Sequence, residues 1–293
     1  MDFYFSQSAR GYVWVGSLLI TLLAACGDDS TTTTADKGTS QDGMVVDAGL
    51  DTAADTSTAA DTSKADTAAG DASVPAGYKS AKIERGGLLY DRWWTITGGT
   101  APTAIHSLYP TAGAQTGSTT HRCKECHGWD YKGKTGAYAS GSHYTGIAGV
   151  LNTTKSIQDI FNLLKTGTHK FGTSLSDADI WDLVKFVKEG TFDMSTYIDS
   201  TAKTFKGTAT SGKTLYDSSC MNCHDANGKK VNFGTTAAPA YVGTIAKSNP
   251  WEFMHKVMFG QPGTAGMGDA KQRTWTKTNV SDVGAHAQTL PTL

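Results

Sequence analysis

Apolar positions are unevenly spread along this chain, and where they recur with a period the period is helical. From Tyr12 to Ala25 the residues form one apolar run, too short to span a bilayer comfortably. Residues 28–78 show no period and are built from Asp, Thr, Ala, Ser and Gly, with Asp-Thr at 51, 55, 61 and 66. Further on, Ile157, Ile160, Phe161 and Leu164 fall at i, i+3, i+4 and i+7, one face of a helix. Ser156 and Asp159 form a capping box at its start, and Gly167 can end it. Ile180, Leu183, Val184 and Val187 make a second such face, opened by Ser176 with Asp179 and ended at Gly190. Asn249-Pro250 supplies a cap and a first-turn proline for a helix from Trp251 to Phe259, closed by Gly260. Ser281 to Leu290 reads as another, stopped by Pro291. No strand-rich stretch competes, so the expected fold is mainly α with long loops.

The helical part repeats itself. Gly86-Gly87-Leu88-Leu89-Tyr90-Asp91 parallels Gly212-Lys213-Thr214-Leu215-Tyr216-Asp217. Each run leads to a Cys-x-x-Cys-His motif. Cys123-Lys124-Glu125-Cys126-His127 follows after 31 residues, and Cys220-Met221-Asn222-Cys223-His224 after two. Such a motif reads as an attachment site for a c-type haem. Residues three apart share a helical face, so both thiols can bond the vinyl groups on one side of a porphyrin. The adjacent His can then ligate iron from below. Zinc knuckles would lie about 15–20 residues apart, whereas 93 residues separate these two. A thioredoxin-like motif would not ask for a following His. Two haem c groups are therefore expected, on Cys123 and Cys126 and on Cys220 and Cys223, with His127 and His224 as proximal ligands.

The duplicated pattern resembles the diheme c-type cytochromes, built from two class I-like cytochrome c domains. The resemblance implies tandem domains at 79–200, with an insert at 92–122, and at 201–293. It implies that each Gly-x-x-Leu-Tyr-Asp run lies on an N-terminal helix crossed by the domain's last helix. It also implies a distal Met on the loop before that last helix. Gly260-Gln261-Pro262-Gly263-Thr264-Ala265-Gly266-Met267-Gly268 is similar to the family's loop, with Gly268 where Pro is usual, and puts Met267 on haem 2. Met254 and Met258 are read as core, and His255 and His286 as outside candidates. The corresponding loop of domain 1, Lys165 to Gly172, has no Met. From His224 to Met267 is 43 residues and from His127 to His169 is 42, so His169 takes the distal place on haem 1. His143, His106 and Met194 are the alternatives, together with an open iron. The insert, with Trp93, Trp94, His106 and Tyr109-Pro110, reads as a lid over one haem edge; the alternative is a substrate or partner pocket. His121-Arg122 and Gly128-Trp129-Asp130-Tyr131 around the first motif resemble bacterial cytochrome domains.

The fifth cysteine, Cys26, follows Leu23-Ala24-Ala25, and Arg10 precedes the apolar run. Residues 1–25 thus read as a signal peptide. Their end is similar to a bacterial lipobox, which implies cleavage before Cys26 and lipidation of its thiol. Gly27 after the cysteine favours the outer membrane by the same likeness. The net charge of −1 hides an asymmetry: residues 27–78 carry −8 and residues 79–293 carry +7. The acidic segment, 26–78, holds too little apolar surface to offset its ordering entropy and is expected to be a disordered tether with a reach of roughly 40 Å. A basic body can steer acidic redox partner proteins. Scattered lysines without an aromatic-basic motif argue against nucleic acid. The expected function is electron transfer by a lipid-anchored protein on the periplasmic or cell-surface side of a bacterial membrane. The competing reading is a redox enzyme, or its electron-accepting subunit, dehydrogenating a small inorganic substrate at haem 1. No separate acid–base constellation or second cofactor motif supports it. A haem-based sensor would need an output domain that the sequence does not show.

Overall fold

Two pairs of crossed helices carry the fold, and a glycine makes each crossing possible. The computed structural model describes residues 74–293 other than Ala112 and Ala265. The expected signal peptide, Cys26 and the tether as far as residue 73 lie outside the described residues. The helices are α1 (Ala76–Ser80), α2 (Ile83–Thr97), α3 (Cys123–His127), α4 (Ile157–Lys165), α5 (Asp177–Lys185), α6 (Ala209–Ser219), α7 (Met221–His224), α8 (Val242–Ser248), α9 (Pro250–Phe259) and α10 (Lys277–Ala287). Two-residue strands, β1 (Ile198–Asp199) and β2 (Thr204–Phe205), form an antiparallel ladder between α5 and α6.

α2 packs across α5, and α6 across α10. A side chain at Gly86 would collide with the Asp182 carbonyl, and one at Gly212 with the Asp282 carbonyl. The repeated glycine is therefore a packing requirement, since Gly inside a helix costs about 1 kcal/mol relative to Ala. The aspartates complete each joint. Asp182 Oδ1 accepts from the Lys82 N–H at 2.7 Å, and Asp282 Oδ1 from the Thr208 N–H at 2.6 Å. Lys82 and Thr208 are the N-cap residues of α2 and α6, so each C-terminal helix satisfies a free donor at the start of its N-terminal one. α5 and α10 also begin alike, with capping boxes Ser176–Asp179 and Thr276–Asn279.

Several boundaries differ from the apolar pattern. α10 starts at Lys277 rather than Ser281 because Thr276 and Asn279 cap it there. It ends at Ala287, and the Gln288 amide turns away to donate to Lys203 O (2.7 Å) and Ala246 O (2.9 Å). α5 gives way to a π-helical turn over Phe186–Gly190. α2 runs six residues into the expected insert past a kink at Arg92 (φ −152°, ψ 78°), which buries Trp93 and Trp94. Ser156 caps α4, but the Asp159 carboxylate returns only to the Ser156 hydroxyl (2.7 Å), half of a capping box. α1 and α8 are too short for their periodicity to show. Tyr78 on α1 donates to Glu189 Oε1 at 2.5 Å and meets Trp181 edge-on at 6.2 Å, so the packed body begins before residue 79.

α9 joins the two halves by packing on α2. The Phe259 ring fills the space over Gly87. Lys256 Nζ lies 3.5 Å from the fully buried Asp91, which also pairs with Arg122. Burial alone would raise the Asp91 carboxyl; the Arg122 and Lys256 charges outweigh it and hold the group below its ordinary value. Lys271 adds an ion pair to Glu84 at 3.0 Å.

Candidate haem-binding sites

The first Cys-x-x-Cys-His motif is α3 itself, and Cys123, Cys126 and His127 line a cavity of about 420 Å³. His169 lines it too. The His127 and His169 rings lie 6.1 Å apart between centres, inclined by 38°. Two imidazole nitrogens, each about 2 Å from one metal ion, would set ring centres about 6 Å apart. His127 Nδ1 is 2.7 Å from Ala148 O. A carbonyl only accepts, so Nδ1 carries the proton and Nε2 keeps its lone pair for a metal. His169 Nδ1 is buried without a partner. Burial first, then the neighbouring His127 and His106, hold His169 down at about 4, so it is neutral and able to ligate near pH 7. Ile160, Leu163 and Leu164 of α4, with Leu183 and Val187, make an apolar part of the wall.

The surroundings hold this motif firmly. The Tyr90 hydroxyl donates to the carbonyl of Gly128, just after His127, at 2.7 Å. Arg122, just before Cys123, donates to Asp91 O at 2.9 Å as well as to its carboxylate. His106, Leu108, Thr120 and His121 of the insert close one side of the cavity, and Trp93 Nε1 ties the insert to α2 through His121 O at 3.1 Å. Burial pushes the Cys123 thiol up to about 12 and Cys126 up to about 11, the reverse of the depressed thiol a thioredoxin-like centre needs. Among the described residues no three His, Cys, Asp or Glu side chains gather so as to hold a metal unaided. The donor set fits a haem: two thiols on one wall, an imidazole on each side, and an apolar slot between.

The second motif follows α6 directly, with Cys220 closing α6 and opening α7. The Tyr216 hydroxyl donates to the carbonyl of Asp225, just after His224, at 2.9 Å. This repeats the bond of Tyr90. Arg273 is the one arginine in 201–293. It donates to Gly268 O and to Asp269 O (3.1 Å), at the end of the Met267 loop. Its charge also reaches the motif: burial first and Arg273 second lower His224. Met267 is half-buried against the core, and His224 Nδ1 is buried without a partner. Burial holds the Cys220 thiol up at about 11. Two thiols and an imidazole on the motif, with a thioether on the loop that Arg273 ties down, are a donor set that also suits a haem.

Residues 209–291 match the family model described as Cytochrome c, and residues 111–187 match the one described as Cytochrome C oxidase, cbb3-type, subunit III. The chain carries two cytochrome c domains. No curated protein and no solved structure matches it. The first match takes in α6 to α10, with Cys220, Cys223, His224 and Met267. The second takes in Cys123, Cys126, His127 and His169. Cytochrome c domains bind haem c covalently, and haem-based electron transfer is the chemistry of this chain.

Other residues weighed as ligands are engaged elsewhere. In the first cytochrome c domain, His143 Nδ1 meets Glu125 Oε1 at 2.9 Å and its ring stacks on Tyr138 at 4.7 Å. Met194 is fully buried in the core, outside the cavity wall. His106 shares the cavity, but its Nδ1 accepts from the Leu108 N–H at 3.1 Å. In the second domain, both nitrogens of His255 are bonded, to Tyr131 Oη (2.8 Å) and Gly87 O (3.0 Å). His286 packs edge-on against Tyr216 at 5.2 Å, and Met254 is core. Sequence reasoning missed Arg273 and the Ala148 carbonyl. The arginine could have been found, as the lone guanidinium of its domain; a backbone acceptor leaves no such mark.

Proposed function

We propose that this protein is a diheme electron carrier. One haem c would be held by Cys123 and Cys126 with His127 and His169 as axial ligands, the other by Cys220 and Cys223 with His224 and Met267. The observation that carries the reading is the pair of neutral imidazoles 6.1 Å apart across a cavity lined by both thiols. With an imidazole from His127 and another from His169 to hold iron, the first site would suit an electron carrier better than a substrate-binding centre. When bound, haem supplies one-electron redox chemistry. The chain's own part is to set its direction. The His169 imidazole stabilises ferric iron, whereas the Met267 thioether favours ferrous iron and raises the potential, so an electron rests at the second site. A lipid on Cys26 and the acidic segment after it would tether the body outside the cytoplasm, with Gly27 favouring the outer membrane. The +7 charge of residues 79–293 suits acidic redox proteins as partners.

The denatured mass should exceed the mature chain by two haems. Optical and paramagnetic-resonance spectra should show one His/His and one His/Met low-spin ferric centre. A single haem, or two His/Met centres, would refute the assignment. Cys26→Ser should release the protein from membranes with its haem spectrum unchanged; an unaltered membrane fraction would refute the anchor.

A further inference from the structure

His255 is fully buried, and neither haem site uses it. It sits on α9 of the second domain, yet both of its hydrogen bonds reach the first. Its Nε2 lies 3.0 Å from Gly87 O, which only accepts, so Nε2 carries the proton. Nδ1 is then an acceptor, and the Tyr131 hydroxyl donates to it at 2.8 Å. Trp129 (4.9 Å between ring centres), Tyr90 (5.7 Å), Tyr131 (5.9 Å) and Phe186 (5.9 Å) of the first domain surround the ring. Phe259 of its own helix completes the cage at 5.0 Å. A buried polar group with every bond satisfied specifies one arrangement of its neighbours.

The placement matters because α9 touches both sites. Tyr90 holds the backbone behind His127, and Lys256, next to His255, pairs with Asp91 and so with Arg122 before Cys123. The other end of α9 runs straight into the Met267 loop, where Gly260 approaches both Met267 O and Leu88 of α2. We propose that the neutral, doubly bonded His255 is a positioning residue for electron exchange between the two cytochrome c domains, holding the Met267 loop at one fixed place against the frame of the first motif. In the exchange one electron crosses, one site is oxidised, the other is reduced, and no proton moves. The proposal rests on both sites carrying haem, and a prior mass measurement separates failure of that reading from failure of this one. Burial is the main cause holding His255 down at about 4; Lys256 and Arg122 add to it, while Asp91 and the bond to Gly87 oppose it. Tyr90 and Tyr131 are the other titratable groups facing the ring.

The test uses the full haem-loaded chain. The oxidised protein is partly reduced by a flash, and re-equilibration between the two haem spectra is followed. His255→Leu removes both bonds and should slow the exchange about tenfold, because the docked arrangement is less populated. Potentials and low-spin spectra should stay as they are. His255→Gln can still donate to Gly87 and accept from Tyr131, and should return the rate to within about twofold of the native one. Tyr131→Phe keeps the imidazole and should slow exchange about threefold; it decides the matter if the Leu variant does not load haem. Amide hydrogen exchange along α9 should rise most in His255→Leu, less in Tyr131→Phe and least in His255→Gln. The native rate should also fall as pH drops towards 4, with His255→Gln flat over the same range. An unchanged rate in a haem-loaded Leu or Phe variant overturns the proposal, as does a loss that Gln fails to restore.

Discussion

The same five-residue motif sits in two unlike settings. In the first domain, Lys124 and Glu125 between the cysteines are buried, paired at 2.8 Å and covered by Tyr138 and His143. In the second, Met221, Asn222 and Cys223 are exposed, and Phe233 beside His224 is 48% exposed. The first imidazole is fixed by the Ala148 carbonyl, while the second has no partner for Nδ1. The first site is closed on one side by the insert, while α9 of the other domain packs on α2. The second depends on its own Tyr216, Arg273 and Met267 loop. One duplicated frame thus supports a site walled in by additions and a site left close to its minimum. Ligand identity and solvent exposure both move a haem's potential, so two haems held as proposed would differ in energy.

The largest effect should come from exchanging the proposed distal ligands, His169 and Met267, which attacks the contrast directly. His169→Met should raise the lower potential and Met267→His should lower the higher one. Each shift should be a sizeable part of the ~0.8 V range that axial ligands span, read by redox titration with a Met-to-iron band gained or lost. If His169→Ala leaves both low-spin spectra intact, His169 is not the ligand, and His106, in the same cavity, is the one to replace next.

The joint between the domains offers a smaller effect with a definite sign. Unfolded His titrates near 6.5, and buried His255 near 4. Between those values the unfolded chain binds a proton that the folded one refuses. Stability is therefore fully present above about pH 6.5, falls by about 3 kcal/mol as pH drops to about 4, and then levels off. Urea unfolding should show the native protein losing stability relative to His255→Gln as pH falls through that window. A difference that ignores pH would mean His255 is not held neutral. Next come the crossings. Gly86→Ala and Gly212→Ala should each cost about 2 kcal/mol by overpacking against Asp182 and Asp282. Thermal loss of the Met-to-iron band should come earlier in Gly212→Ala alone. Equal loss in Gly86→Ala would mean that α9 couples the domains so tightly that the contrast between them vanishes on heating.

Much of this was legible in the sequence because the duplication repeats chemistry as well as helices. The likeness of the 260–268 loop pointed to Met267, the count of 42 residues from His127 against 43 from His224 pointed to His169, and the fold brings His169 to His127. Capping at Ser176 and Asn249 was readable as well. The start of α10 was not, because Thr276 and Asn279 lie ahead of its apolar face. Nor were Asp182 and Asp282, whose partners sit on another helix. His255 resembled a spare ligand because its partners, Gly87 and Tyr131, lie 168 and 124 residues away. Long-range hydrogen bonds leave no period in the sequence.

The smallest effect tests the contrast at the backbone behind His127 and His224. Tyr90 and Tyr216 occupy matching places in the duplicated run, and each donates to the carbonyl of the residue after its histidine, at 2.7 and 2.9 Å. A neutral hydrogen bond is worth about 1 kcal/mol net, and more when its loss strands a buried acceptor. Gly128, which accepts from Tyr90, is buried, while Asp225, which accepts from Tyr216, is exposed. Water can replace the lost hydroxyl only at Asp225. Tyr90→Phe should therefore cost about 1–2 kcal/mol and Tyr216→Phe about 0.5 kcal/mol, read as denaturant midpoints at an unchanged slope. Equal losses would mean that the walls around the first motif add nothing at the backbone, and that the two sites differ only through their distal ligands and the solvent at their edges.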